Sequence, residues 1–146
     1  MSQGIFNLRR VDERLLSAGQ PTEAELRELA GEGCRVVINL HMDDPRWALP
    51  GEAQIVRDLG MDYHHIPVRF DAPAEDDYRA FEQLMGQLGE LPKLVHCVAN
   101  YRVSCFLAVY GERCLGWNRE RADAFIASVW EPDAVWQDFI ARLRAL

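Results

Sequence analysis

The sequence has no uninterrupted apolar run near the roughly 18 residues that a membrane span requires, and Met1–Arg10 lacks the apolar centre of a secretory signal. A cytoplasmic protein with no membrane partner is therefore expected. It also has no excess of positive charge: 16 Lys+Arg against 23 Asp+Glu leave a net charge of -7. Affinity for a phosphate backbone comes from clustered cations, so nucleic acid is excluded as a general partner and any bound anion needs a local site. Cysteine is sparse and unpatterned. Cys34, Cys97, Cys105 and Cys114 show no paired metal-ligand spacing, and they read as free thiols in a reducing compartment rather than a disulfide frame. No repeat, low-complexity run or Gly/Ser linker divides the chain, so residues 1–146 are expected to form one domain.

What is present is an alternation of strand and helix patterns. Arg14–Ala18 is a short strand candidate, and Thr22-Glu23-Ala24-Glu25 is a capping-box sequence for a helix ending near Gly31 and Gly33. Arg35–Leu40 is β-branched and nearly continuous in apolar character, as in a strand covered on both faces. His41–Pro50 reads as a surface loop, Ala53–Leu59 as a helix stopped by Gly60, and Tyr63–Val68 as a third strand closed by Pro67. Phe81, Leu84, Met85 and Leu88 form one helical stripe; Lys93–His96 is a short strand running into Cys97; three further stripes begin at Val103, Ala122 and Val135. The pattern predicts an α/β fold with a small, mainly parallel sheet flanked by helices, the last third adding helices. Ligands of such sheets bind beyond the carboxyl ends of the strands, which places the segments after Leu40, Val68 and His96 around one crevice.

The chemistry concentrates in Val95-His96-Cys97-Val98-Ala99-Asn100-Tyr101-Arg102-Val103-Ser104. Here a strand delivers a cysteine into a short loop, and a helix starts at about the arginine. Backbone N–H groups of such a loop, with the positive end of the helix, make a cavity for a tetrahedral anion, with Val98, Ala99, Asn100, Tyr101 and Arg102 around it. A helix N-terminus and a guanidinium favour a thiolate, the nucleophilic form of cysteine. Arg102 offers a planar fork for two oxygens of one anion. Asn100 suits a left-handed position because it tolerates positive φ.

His96-Cys97 followed by Arg102 after a strand resembles the signature of the cysteine-dependent protein tyrosine and dual-specificity phosphatases. Ser17-Ala18-Gly19-Gln20-Pro21-Thr22, Val37-Ile38-Asn39-Leu40 and His65-Ile66-Pro67-Val68 are similar to a compact bacterial branch of that superfamily, the β-lactamase-hydrolase-like phosphatase-fold proteins. The resemblance covers about residues 10 to 110. It implies a dual-specificity-phosphatase-like fold and a phosphocysteine mechanism without metal or other cofactor. Cys97 is then the nucleophile, Arg102 and the loop amides hold the phosphoryl oxygens, and an aspartic acid protonates the leaving oxygen. The implied partners are a phosphorylated protein or small molecule, and inorganic phosphate or sulfate in the loop. The main phosphatase signature has five residues between Cys and Arg, a glycine among them, and Ser or Thr after the Arg. Here there are four, Asn100 replaces the glycine and Val103 follows Arg102. One fewer amide surrounds the anion, which predicts weak catalysis. The shorter loop also resembles that of the rhodanese sulfurtransferases, whose cysteine carries a persulfide, and a non-catalytic phosphate-binding module is the third reading.

Asp71, just beyond the strand ending at Val68, is the candidate general acid. Asp71-Ala72-Pro73-Ala74-Glu75 reads equally as an N-cap and first-turn proline, and Asp43 and Asp44 are alternative acids. His96 is either a core residue at a strand end or, as the resemblance implies, an orienter of the cysteine loop. Ser104 is a supporting candidate, but one residue late on a helix turns it about 100° from the hydroxyl position of the family. Cys105 is a resolving thiol or core packing; Tyr101 and Trp117 line the crevice or pack; Arg69 attracts an anion or is solvated. Adjacent strand residues face opposite ways, so His64 and His65 do not readily join His41 on one metal.

Overall fold

The computed structural model describes residues 4–146. Thr22 caps the first helix as its sequence requires: its hydroxyl accepts from the Glu25 amide at 3.2 Å while the Glu25 carboxylate accepts from the Thr22 amide at 2.8 Å. That helix, α1 (Glu23–Gly31), follows an antiparallel pair, β1 (Arg9–Asp12) and β2 (Leu15–Ala18). The chain continues through β3 (Val36–Asn39), α2 (Glu52–Asp58), β4 (Asp62–His65), α3 (Glu75–Leu88), β5 (Lys93–His96), α4 (Tyr101–Cys114), α5 (Arg119–Val129) and α6 (Ala134–Arg144). The α/β class and the mainly parallel sheet expected from the alternation are both present.

The strand order is β1-β2-β5-β3-β4, with β2, β5, β3 and β4 all parallel. From β2 to β3 to β4 the chain steps one way across the sheet; from β4 to β5 it steps back. Right-handed crossovers then put α1 and α2 on one face and α3 on the other. Strand alternation follows: Leu16, Ala18, Val37 and Leu94 pack with Leu26, Leu29 and Val56, whereas Leu15, Val36, Ile38 and Val95 pack with Tyr78, Phe81, Phe106 and Trp136. The second layer is thicker. α4 is buried from Arg102 to Gly111 because α3, α5 and α6 surround it. Trp117 belongs to this packing, against Gly111 and under the Arg121 guanidinium at 4.3 Å, and not to the crevice.

Three local expectations need correction. β1 had no apolar signal, because an edge strand reading Arg-Arg-Val-Asp carries the charges that protect sheet edges. The third strand stops at His65 rather than Val68, since Pro67 has no amide for the ladder, although the Ile66 and Val68 amides still donate to Asn39 and Leu40. α3 begins at Glu75 with Ala74 at its cap, so the alternative of Asp71 as N-cap does not hold and Asp71 stays in the loop. Among the described residues no helix is long and apolar enough to cross a membrane.

Candidate active site

β5 lies in the middle of the sheet, so the residue after His96 emerges where the strand order reverses, between the ends of β2 and β3. That residue is Cys97, fully buried. The next three residues form a loop, and Asn100, at φ 73° and ψ -1°, turns it into α4 in the left-handed conformation its side chain tolerates.

Each carbonyl of the loop is tied from behind. The Cys97 carbonyl faces His96 Nδ1 at 3.2 Å, the Val98 carbonyl accepts from the Gln20 amide at 2.9 Å, and the Ala99 carbonyl accepts from Asn7 Nδ2 at 2.8 Å. Asn100 Nδ2 returns the contact, donating to the Asn7 carbonyl at 2.9 Å and to Ser17 Oγ at 3.1 Å. All these peptide bonds are trans. In a trans peptide the N–H points opposite the preceding C=O, so carbonyls held at the back turn the amides of Val98, Ala99 and Asn100 to the front. Among the described residues the amides of 98 to 102 donate to no backbone carbonyl, and those of Tyr101 and Arg102 add the free first turn of α4. The close fit at the back requires Gly19, where a Cβ would lie 2.5 Å from the Val98 carbonyl oxygen.

Behind the loop is a pairing the sequence did not disclose. Glu52, the first residue of α2 and 5% exposed, accepts from Gln20 Nε2 at 2.7 Å and meets His96 Nε2 at 2.5 Å. Burial pushes its carboxyl up, but the hydrogen bonds and charge of His96, with Gln20, outweigh this and hold it below the usual glutamate range. Glu52 therefore reaches the loop twice, through the His96 ring to the Cys97 carbonyl and through Gln20 to the Val98 carbonyl. The His96 ring is buried, between the Glu52 carboxylate and the Cys97 carbonyl.

In front lies a crevice of about 550 Å³. Its lining brings together Cys97, Val98, Ala99, Tyr101 and Arg102 from the loop, His41, Met42, Asp44, Arg46 and Trp47 from the segment after β3, and Phe70 and Asp71 from the segment after β4. These are the three segments expected beyond the strand ends. Two other clefts, of about 450 and 590 Å³, contain neither cysteine nor histidine. Arg102 is buried, donates from Nη1 to the Val68 carbonyl at 2.8 Å and lies 5.8 Å from the Phe70 ring centre, while its Nε has no partner. His41 is buried as well, with Nδ1 unpartnered. Burial, together with Arg102 and His96, pushes the His41 pKa down to about 4, so the ring is neutral in the free protein at ordinary pH. An unsatisfied buried polar atom costs about 1–3 kcal/mol, and two of them belong to residues that line this crevice.

The acidic candidates sit on the rim. Asp71 and Asp44 both line the crevice, and each is held by a guanidinium two residues away: Arg69 at 3.0 Å and Arg46 at 2.7 Å. The hydrogen bond from Arg69 holds the Asp71 carboxyl below its usual range, and Arg46 brings Asp44 to about 2. Asp43 is not part of the lining. Ser104 turns away, donating to the Tyr101 carbonyl at 2.7 Å and accepting from Trp130 Nε1 at 3.0 Å. The Tyr101 ring stacks on Trp130 at 4.5 Å, and Trp136 Nε1 fixes the Phe70 carbonyl at 2.8 Å, so α5 and α6 brace one wall. Cys105 is core packing, its thiol pushed up to about 12 by burial.

Sequence reasoning missed Glu52, Gln20 and Asn7, and it weighed His41 only as a metal ligand. Glu52 and His96 are 44 residues apart, and Asn7 and Asn100 are 93 apart. Such pairs leave no spacing signal. The one usable hint was that Gly19-Gln20-Pro21 follows a strand paired beside the cysteine strand.

No family model matches the chain. Among solved structures, a protein from Shewanella putrefaciens CN-32 described as "Putative phosphatase (DUF442)" is 35% identical, with a TM-score of 0.87 over 98% of this chain and 94% of that one. A "Beta-lactamase hydrolase-like protein" of Agrobacterium fabrum is 38% identical over 106 residues, 70% of this chain and 24% of that protein. The chain thus spans about a quarter of the length of the curated relatives it matches. TpbA of P. aeruginosa, in a cysteine-to-serine form in complex with pTyr, shares the fold at 18% identity and a TM-score of 0.74, over 96% of this chain and 89% of that one.

Proposed function

We propose that this chain, which belongs to the DUF442 family within the protein tyrosine and dual-specificity phosphatase superfamily, hydrolyses a phosphate monoester through a phosphocysteine intermediate. The observation that carries the reading is the convergence of Cys97, the forward-facing loop amides and Arg102 on one crevice. The Cys97 thiolate attacks phosphorus in line, forming the S–P bond as the P–O bond to the leaving group breaks. The loop amides and Arg102, released from the Val68 carbonyl, hold the equatorial oxygens, where charge is spread in the transition state. Asp71 gives its proton to the leaving oxygen, which requires the Arg69 guanidinium to turn from the carboxyl to the incoming dianion. Water then attacks phosphorus, gives its proton to Asp71, and the S–P bond breaks to return the thiolate and inorganic phosphate. His96 orients the loop. Ser104, tied to Tyr101 and Trp130, offers no hydroxyl to the departing thiolate, so release of the phosphocysteine is the slow step. The unpaired cysteines suit a reducing compartment such as the cytoplasm.

A phosphorylated substrate fits the front of the loop, and the exposed Trp47 and Phe70 beside it favour a phosphate on an aromatic ring, as in the pTyr held by TpbA. The test is hydrolysis of an aryl phosphate by the protein and its Cys97→Ser variant. Turnover is expected to vanish while phosphate still binds; turnover that survives the substitution rejects the mechanism.

A second reading is supported by the four residues between Cys97 and Arg102. A sulfurtransferase would attack the outer sulfur of thiosulfate with Cys97, release sulfite and pass the sulfur from the persulfide to cyanide. Assaying thiosulfate and aryl phosphate side by side separates the two readings, and binding without either activity identifies a phosphate-binding module.

A further inference from the structure

The loop between Cys97 and Arg102 has room for one amide fewer than a five-residue loop, so a seated anion lacks one donor on that side. Across the crevice stands His41, on the segment leaving β3. Its main chain is fixed at both ends: the amide donates to Asn39 Oδ1 at 2.8 Å, and the carbonyl faces His65 Nε2 at 2.5 Å. Its side chain is not fixed in this way. The residue is 2% exposed, yet Nδ1 has no hydrogen-bond partner. The other unpartnered buried nitrogen of the same crevice is Arg102 Nε. Native proteins pair nearly all such atoms. Two further exceptions, Gln20 Oε1 and Asn100 Oδ1, are acceptors on residues behind the loop, whereas the two nitrogens belong to side chains that line the crevice, where an anion can pair with them.

We infer that His41 contacts the tetrahedral oxyanion held by the loop, donating a hydrogen bond from its ring where the shortened loop lacks an amide. The inference deepens the reading of the site as an oxyanion site and rests on it. The His χ2 torsion is broad, so the ring presents its N–H to the crevice without moving the anchored backbone. A neutral ring is suited to the free site, because a second cation beside Arg102 would be uncompensated there. The charged and titratable groups facing it are Arg102 and His96, which favour the neutral ring, and Asp44 and Glu52, which oppose them weakly. A bound dianion adds negative charge and favours protonation, so anion affinity rises as the solution is made mildly acidic. Sulfate is the probe for this effect, since it stays a dianion through that range.

The experiment uses the full chain carrying Cys97→Ser, so that binding is read without covalent chemistry. Phosphate, sulfate and thiosulfate are titrated separately, by calorimetry and by the ring resonances of His41. The resonances are expected to move with saturation, and adding His41→Leu is expected to weaken binding about tenfold, as for one lost charge-assisted hydrogen bond. His41→Gln, which keeps a donor, recovers most of that loss. Resonances that stay still at saturation, or equal affinity in the His41→Leu protein, overturn the assignment and leave the phosphatase reading standing. Binding of thiosulfate but not phosphate, still weakened by His41→Leu, keeps His41 in place and overturns phosphate hydrolysis instead. Absence of binding by all three anions overturns both.

Discussion

The back and the front of the cysteine loop are built on opposite principles. At the back, the carbonyls of Cys97, Val98 and Ala99 all have partners, and Asn100, Asn7, Gln20, His96 and Glu52 form one connected set of polar contacts that, among the described residues, leaves only the acceptors Gln20 Oε1 and Asn100 Oδ1 unpartnered. At the front, Arg102 Nε and His41 Nδ1 are buried without partners, and Arg102 Nη1 has only the Val68 carbonyl. The difference shows where each part of the free energy lies. Contacts at the back hold the loop in shape before any ligand arrives, which is what preorganised electrostatic stabilisation requires. The front keeps its donors unsatisfied, a cost to stability that binding an anion removes. Substitutions at the back should therefore unfold the protein, and substitutions at the front should empty the site of a protein that remains folded.

The largest expected effect is at Glu52. Glu52→Ala leaves His96 buried without its partner and frees Gln20, and breaking such a buried pair costs about 3–5 kcal/mol. In a chain of this size that lowers the melting temperature by about 10 °C. Glu52→Gln, which keeps hydrogen-bonding atoms, costs less. The pH dependence has a definite sign. A carboxyl held below its usual range binds its proton more readily in the unfolded chain, so the stabilisation is present above the ordinary glutamate pKa and lost as pH falls through the depressed one. Unfolding by denaturant across acidic pH should show this loss in the parent protein and a flatter profile in Glu52→Gln. A parent profile as flat as the variant's would remove Glu52 from the back of the loop.

A smaller effect of the same kind is expected at Gly19. A Cβ there meets the Val98 carbonyl oxygen at 2.5 Å and the Phe6 ring at 2.7 Å, contacts that real structures avoid. Gly19→Ala must push the loop forward, at about 1–3 kcal/mol. Because the shift narrows the anion site, phosphate affinity should fall together with stability, whereas His41→Leu lowers affinity alone. Measuring both quantities in both variants tests whether back and front are separate.

How far this division was legible in the sequence depends on the range of the interaction. The Thr22–Glu25 box, the β3 run and the turn to α4 at Asn100 act within a few residues, and each is where local pattern places it. The crevice was legible one level up, because the strand-end rule needs only the order of elements. Long-range side-chain pairing was not. His96 announces itself beside Cys97, but its partner Glu52 looks like any first-turn acid of a helix, and only the placement of the α2 N-terminus beside the end of β5 gives it a second meaning. The helix-start alternative for Asp71 failed for a local reason: Asp-Ala-Pro-Ala-Glu fits a helix start, yet the chain uses Ala74 as the cap and keeps the aspartate on the rim.

That rim position gives the prediction with the least effect on folding. Arg69 and Asp71 are both exposed, and an exposed ion pair contributes little to stability. Arg69→Gln should therefore leave the unfolding curve unchanged. Its consequence lies in protonation: the Arg69 hydrogen bond holds the Asp71 carboxyl down, so removing it lets the carboxyl return upward to the ordinary aspartate range. If Asp71 protonates the leaving oxygen, the pH at which activity falls on the alkaline side of the carboxyl's titration moves upward in the variant. The shift should be larger for an alkyl phosphate than for an aryl phosphate, since an alkoxide needs the proton more than a phenolate does. A pH profile that does not move with either substrate would take Asp71 out of the reaction and leave the rim a solvated charge pair. His41 and Arg102, the two buried side chains of the crevice with an unpartnered nitrogen, would then carry the recognition of a substrate's anion, with Arg46 as the other guanidinium in the lining.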